Sequence, residues 1–96
     1  MQLYAILRRD GFEDGPDLQA AAARSTKVAD EEMPDKVRWI RSYVLSEESG
    51  KVGTLCIYEA TDADAIREHA TRASLPVDEI IGITETVVVR PDPVAV

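Results

Sequence analysis

His69 is the side chain best suited to acid–base or metal chemistry, because it is the only histidine among 96 residues and its ordinary pKa lies near neutrality. It falls at the edge of an apolar stripe formed by Ile66, Ala70 and Ala73 at helical spacing, so we expect its ring to lean toward the interior. Two interpretations stay open. His69 is either a boundary histidine with satisfied nitrogens, or a general base or metal ligand.

A metal site built on His69 needs ligands of other kinds. One histidine and one cysteine cannot form a His-rich or Cys-rich zinc site within one chain. The metal would combine His69 with carboxylates, carbonyls, waters, a thiolate or groups from a second chain. Glu59 and Cys56 are the candidate partners. Cys56 lies in mid-strand, where a buried cysteine also serves as a small apolar filler.

Two predicted neighbouring strands carry aromatic and polar side chains at alternating positions. These are Trp39, Arg41 and Tyr43 on the first strand, and Thr54, Cys56 and Tyr58 on the second. If the register aligns them, one face combines two tyrosine hydroxyls, an indole N–H and a guanidinium among apolar walls. Trp39, Arg41, Tyr43 and Tyr58 are therefore candidate pocket residues, and the same residue types equally suit a dimer interface.

The overall charge excludes several classes of partner. The chain has 18 acidic and 11 basic residues and a formal net charge of −7. A negative protein repels phosphate backbones, so we expect no nucleic-acid partner and no anionic membrane surface. No apolar run is long enough for a membrane span. A single cysteine cannot form an intrachain disulfide, and we predict a cytoplasmic location.

The elements that must position these residues follow from periodicity and turn residues. The predicted elements are a strand over Gln2–Arg8, a helix over Pro16–Met33, strands over Val37–Leu45 and Val52–Ala60, a helix from a capping box at Thr61 to before Pro76, and a strand over Glu79–Val89. The chain is predicted to be one domain over residues 1–90 with a tail over 91–96, because Pro91 and Pro93 interrupt regular structure.

The order βαββαβ favours an α+β, ferredoxin-like fold with an antiparallel sheet and both helices on one face. The second strand places Val37, Trp39, Arg41 and Tyr43 on one side by simple alternation, yet its other side also carries apolar residues. A sheet with one face in water alternates more cleanly. We therefore expect a second copy of the chain to cover the open face, giving a homodimeric α+β barrel.

Four segments carry a resemblance to a known family: Val37–Val44, Cys56–Ala60, Ile66–Ala70 and Leu75–Pro76. They resemble a family of small bacterial proteins first described as a domain of unknown function and later labelled nickel-binding. The resemblance implies a ferredoxin-like dimer and, for at least some members, nickel binding. The chain departs from the family at Leu7-Arg8, where members often carry Glu-Arg, so one carboxylate that could serve a cation is missing.

Three functions are consistent with these observations. The first is a small protein that binds nickel or another divalent metal through His69, with Glu59 or Cys56; no organic cofactor is implied. The second is a small-molecule-binding or catalytic α+β barrel with His69 as general base and Tyr43 or Tyr58 as hydrogen-bond donor to an oxyanion. The third is an interaction module in which Trp39 and the apolar sheet face form an interface.

Overall fold

The computed structural model describes residues 1–93 as a four-stranded sheet with two α-helices. The strands are β1 (Gln2–Phe12), β2 (Val37–Ser46), β3 (Val52–Ala60) and β4 (Glu79–Ile83), and the helices are α1 (Gly15–Lys27) and α2 (Ala63–Ala73). One π-helical stretch, Val28–Glu32, continues α1. The predicted order βαββαβ is confirmed.

The sheet has the strand order β2-β3-β1-β4, and every neighbouring pair is antiparallel. Side chains of both helices meet the same strand: Ser25 of α1 bonds Tyr58 of β3, and His69 of α2 packs on the Tyr58 ring. Both helices therefore lie on one side of the sheet, here called the inner face, and the opposite side is the outer face. This is the predicted α+β ferredoxin-like arrangement.

The main core lies between the inner face and the helices. It includes Tyr4, Ile6 and Tyr58 from the sheet, with Val28 and Ile66 from the helical side. Small residues such as Ala21, Ala29, Ala65 and Ala73 are also buried there, which lets the helices approach the sheet closely. Within residues 1–93, no helix is long and apolar enough to cross a membrane.

A β-bulge in β2 changes which side chains share a face. Trp39 pairs with Tyr58, but Arg41 pairs with Ile57, so Ile40 is an extra residue in the ladder. Beyond the bulge the alternation is reversed: Ser42 faces inward with Trp39, while Arg41 and Tyr43 face outward. The prediction that Trp39, Arg41 and Tyr43 share one face is therefore wrong, because simple alternation takes no account of an inserted residue.

Several element ends also differ from prediction. The strand predicted to reach Val89 ends at Ile83, which pairs with Leu3 near the start of β1 and leaves almost no partner strand for later residues. At α2, Asp62 caps the helix by accepting from the Ala65 N–H, one residue after the predicted Thr61. Of the predicted tail over 91–96, residues 94–96 lie outside the described part.

Candidate functional site

A cavity of about 230 Å³ lies between α1 and the inner face of the sheet. Its apolar lining includes Phe12, Leu18, Ala21, Ala22, Trp39 and Leu75, and its polar lining includes Arg8, Ser25, Thr54 and Tyr58. Pockets for drug-sized ligands span roughly 300–1,000 Å³. The cavity therefore suits a smaller organic molecule.

Arg8 supplies the positive charge at this cavity. It follows Tyr4 and Ile6 at alternating positions of β1 and is only 1% exposed. Its Nη1 donates to the Pro76 carbonyl at 2.6 Å, whereas its Nη2 has no hydrogen-bond partner among the described residues. No carboxylate in residues 1–93 forms an ion pair with it. Within the described part of the chain, Arg8 is thus a buried cation without a counter-charge.

A hydrogen-bonded chain connects Tyr58 to His69 through Ser25. The Ser25 Oγ lies 2.7 Å from the Tyr58 Oη and 3.3 Å from the His69 Nε2. The His69 Nε2 is also 3.2 Å from the Ser25 carbonyl oxygen, which can only accept. This contact favours the tautomer with hydrogen on Nε2, and the buried Nδ1 has no hydrogen-bond partner in the part of the chain that the structure describes.

Burial changes the acid–base behaviour of both ends of this chain. Desolvation raises the pKa of Tyr58 above its usual value, so the phenol stays protonated. Desolvation also lowers the pKa of His69, an effect that the Ser25 carbonyl opposes and the Arg8 charge reinforces. His69 is fully buried and does not line the cavity. It contacts the cavity-lining residues Ser25 and Tyr58 instead.

Aromatic packing fixes the Tyr58 ring from two sides. Trp39 stacks on it with ring centroids 6.1 Å apart and an interplanar angle of 10°, and His69 lies 5.1 Å away at 58°. The Trp39 Nε1 donates to the Ser42 Oγ at 2.9 Å, a contact made across the β2 bulge. The bulge thus anchors Trp39 over the cavity.

A family model described as "nickel responsive protein SCO4226-like" matches residues 6–83. The chain belongs to this family. The match covers β1 from Ile6, both helices and the strands through Ile83, and so it includes all the polar residues that line the cavity. The predicted resemblance to a nickel-associated family is confirmed. No curated protein matches the sequence.

A solved structure has the same fold as this family member. It is described as the crystal structure of SCO4226 from Streptomyces coelicolor A3(2), and it aligns with a TM-score of 0.72 at 20% identity. The alignment covers 88% of the present chain and 99% of the other. At this identity the likeness establishes the fold alone.

The candidate metal ligands of this family member do not come together. Cys56 lies on the inner face and its Sγ contacts the Thr54 Oγ1 at 3.4 Å, while Glu59 faces outward, 3.7 Å from Arg38. In the described part of the chain, no three His, Cys, Asp or Glu side chains form a possible metal site. Alternation along β3 places Glu59 and Cys56 on opposite faces, so the two cannot join His69 around one ion within residues 1–93.

Of the predicted pocket and catalytic residues, the structure brings Trp39, Tyr58 and His69 together. Arg41 and Tyr43 lie on the outer face instead, where both contact the Asp92 carboxylate at 3.3 and 2.8 Å. They are separated from Trp39 by the β2 bulge.

Sequence reasoning missed two residues that are central to the cavity, Arg8 and Ser25. Arg8 continues the inward alternation of Tyr4 and Ile6, and Ser25 lies in the small-residue stripe of α1. A charged or polar residue at an inward position is the signal that could have found them, since such residues are seldom fully buried without a partner.

Proposed function

We propose that this protein binds a small organic molecule in the cavity between α1 and the sheet. The observation that supports this best is that Arg8 and Tyr58 line one cavity whose walls are mostly apolar. Binding sites for small molecules have this composition: apolar walls give affinity, and a few fixed polar groups orient the ligand. The Tyr58–Ser25–His69 chain supports the proposal, since it fixes the Tyr58 hydroxyl in place.

The binding test uses Trp39, the only tryptophan, as a fluorescent reporter in the cavity wall. A panel of small acids, amides, amines and alcohols is titrated while Trp39 emission and the melting temperature are followed. Ala22→Phe fills the cavity, whereas Ala20→Phe adds the same ring on the exposed side of α1. We expect Ala22→Phe alone to abolish the response. Equal responses of both variants, or none from the unmodified protein, would contradict the proposal.

A second candidate function is divalent metal binding, which the family description favours. Because the described residues form no such site, we propose that any nickel bound by this protein is held by ligands from more than one copy. Tag-free protein is incubated with nickel, zinc and copper and then dialysed, and its metal content is measured. The His69→Gln variant is treated and measured in the same way. Near-stoichiometric nickel in the dimeric fraction alone supports this proposal. Nickel bound by a monomer contradicts it.

We also propose that the protein forms a homodimer and that it is located in the cytoplasm. The outer face carries half-buried apolar side chains on the two central strands: Leu3, Ala5, Leu7, Leu55 and Ile57. We propose that a second copy packs on them, since scattered apolar residues are common but a contiguous patch marks an interaction site. Light scattering at micromolar concentration should give twice the monomer mass, and Ile57→Lys should return it to 10.6 kDa. A monomeric unmodified protein would contradict the dimer.

A further inference from the structure

We infer that the ligand of the cavity is a small organic monocarboxylate, whose carboxylate pairs with Arg8 while its apolar part occupies the space beside Trp39. This inference rests on the proposed binding function and adds the chemical class of the ligand. It concerns an anion, whereas the family description concerns a metal cation.

The missing counter-charge of Arg8 is the first line of support. A buried charge normally has a partner, because burial without one costs several kcal/mol. Arg8 is 1% exposed, its Nη2 is unpartnered, and the Pro76 carbonyl satisfies only Nη1. A carboxylate is the group that a guanidinium recognises with two parallel hydrogen bonds. An acid in the cavity would supply the negative charge that residues 1–93 do not place there.

The orientation of the Tyr58 hydroxyl is the second line of support. With hydrogen on the His69 Nε2, the Ser25 Oγ accepts from His69, and its own hydrogen can be donated to the Tyr58 Oη 2.7 Å away. In that arrangement the Tyr58 hydrogen is free to point into the cavity. Arg8 and Tyr58 both line the cavity as donors, which suits a ligand group that only accepts.

The walls distinguish an organic acid from an inorganic anion. Phe12, Leu18, Trp39 and Leu75 line the same cavity, and they offer nothing to a fully hydrated ion such as phosphate. Arg8 is the single cationic side chain in the lining, so it neutralises one negative charge and not two. The volume of about 230 Å³ limits the apolar part to a short chain or a single ring.

The test compares matched pairs of probes by isothermal titration calorimetry at pH 7.5: hexanoate with hexanamide, and benzoate with benzamide. The members of each pair have nearly the same shape, but the amide is neutral and has an NH2 donor in place of one acceptor oxygen. We expect the acid to bind about tenfold or more tightly than its amide, since a hydrogen bond to a charged group is stronger than one between neutral groups. Arg8→Met should remove this preference while amide binding stays. Arg41→Met, on the outer face, is the matched control and should change neither.

The outcomes separate this inference from the proposed function. If the unmodified protein binds amides as tightly as acids, or phosphate as tightly as hexanoate, the carboxylate inference is overturned and the cavity remains a binding site. If no probe binds and Ala22→Phe behaves like the unmodified protein, both fail. Should Arg8→Met not fold, Tyr58→Phe replaces it and must weaken acids more than amides. The acid–amide comparison on the unmodified protein decides the case without any variant.

Discussion

Arg8 and Tyr58 on the inner face, and Arg41 and Tyr43 on the outer face, are the same two residue types in different surroundings. The outer arginine side chain is 52% exposed and both outer residues contact the Asp92 carboxylate. The inner arginine is 1% exposed and meets no carboxylate in the described chain. Tyr58 is buried beside His69, whereas Tyr43 is 38% exposed.

The difference shows that surroundings, and not residue type, determine what these side chains contribute. On the outer face, water and Asp92 already satisfy the charge, and exposed ion pairs are worth only about 0–1 kcal/mol. On the inner face the same charge is buried and has no ion-pair partner among residues 1–93, and a buried charge without a partner is costly. The inner pair therefore has binding potential that the outer pair lacks.

The largest expected difference between the two faces concerns the tyrosines. Tyr58→Ala removes a buried ring that packs on Trp39 and His69, so the free energy of unfolding should fall by about 3–5 kcal/mol, as for other large aromatic truncations. Tyr43→Ala should cost about 1 kcal/mol or less. Urea denaturation measures both. Similar losses for the two variants would remove the distinction between the faces.

The two arginine substitutions should have different effects on the free energy of unfolding. Arg8→Met replaces an unpaired buried cation by an apolar side chain of similar length, and we expect the ligand-free protein to become more stable by about 1–4 kcal/mol. Arg41→Met should lie within about 1 kcal/mol of the unmodified protein. Both are measured by urea denaturation after exhaustive dialysis. A destabilised Arg8→Met variant would mean that the bond to the Pro76 carbonyl outweighs the buried charge.

Lowering the pH should reduce the free energy of unfolding through the protonation of His69. Burial lowers the pKa of folded His69 below the ordinary 6.5, so below pH 6.5 the unfolded chain takes up a proton that the folded chain does not. Stability is thus complete above pH 6.5 and falls as the pH drops toward the folded pKa. His69→Gln keeps a donor for the Ser25 carbonyl and should flatten the stability profile between pH 7 and 5.5. An unchanged slope would show that other groups cause it.

The smallest effect is expected at the outer carboxylate. Asp92→Asn removes the charge that contacts Arg41 and Tyr43, and the free energy of unfolding should fall by no more than about 1 kcal/mol. The loss should shrink in about 1 M salt, because exposed pairs are screened. Denaturation at low and high salt measures it. A larger loss that salt leaves unchanged would show that the Asp92 contacts are not ordinary exposed ones.

Much of the fold could be predicted from the sequence, because its signals are local. Apolar periodicity and proline positions placed both helices, and runs of β-branched and aromatic residues placed β2 and β3 within a residue of their observed ends. The last strand was predicted too long. Val87, Val88 and Val89 have strand-forming side chains, but a strand also needs a partner, and the antiparallel register of β4 places these residues beyond Gln2, where β1 begins.

The site was only partly predictable. Alternation correctly placed Cys56 and Tyr58 on one face of β3 and indicated that the His69 ring leans inward. The same rule failed for Arg41 and Tyr43, because the bulge at Ile40 reverses which side chains of β2 face inward. No turn residue or glycine marks the position of the bulge in the sequence. Arg8 was not predicted as a cavity residue, because it stands at the end of the predicted first strand, where an arginine side chain is normally solvated.

The sequence by itself determined the order of the elements, the apolar stripe that forms the buried side of α2, and the residue types that are able to bind an anion. These follow from spacing along the chain, which is the same before and after folding. Only the tertiary structure decided which of two Arg–Tyr pairs lies in the cavity, since that depends on a one-residue insertion in β2 and on the distance of every carboxylate from Arg8. Both depend on segments that are far apart in the chain but close in the folded structure. Electrostatic interactions depend on that distance in space.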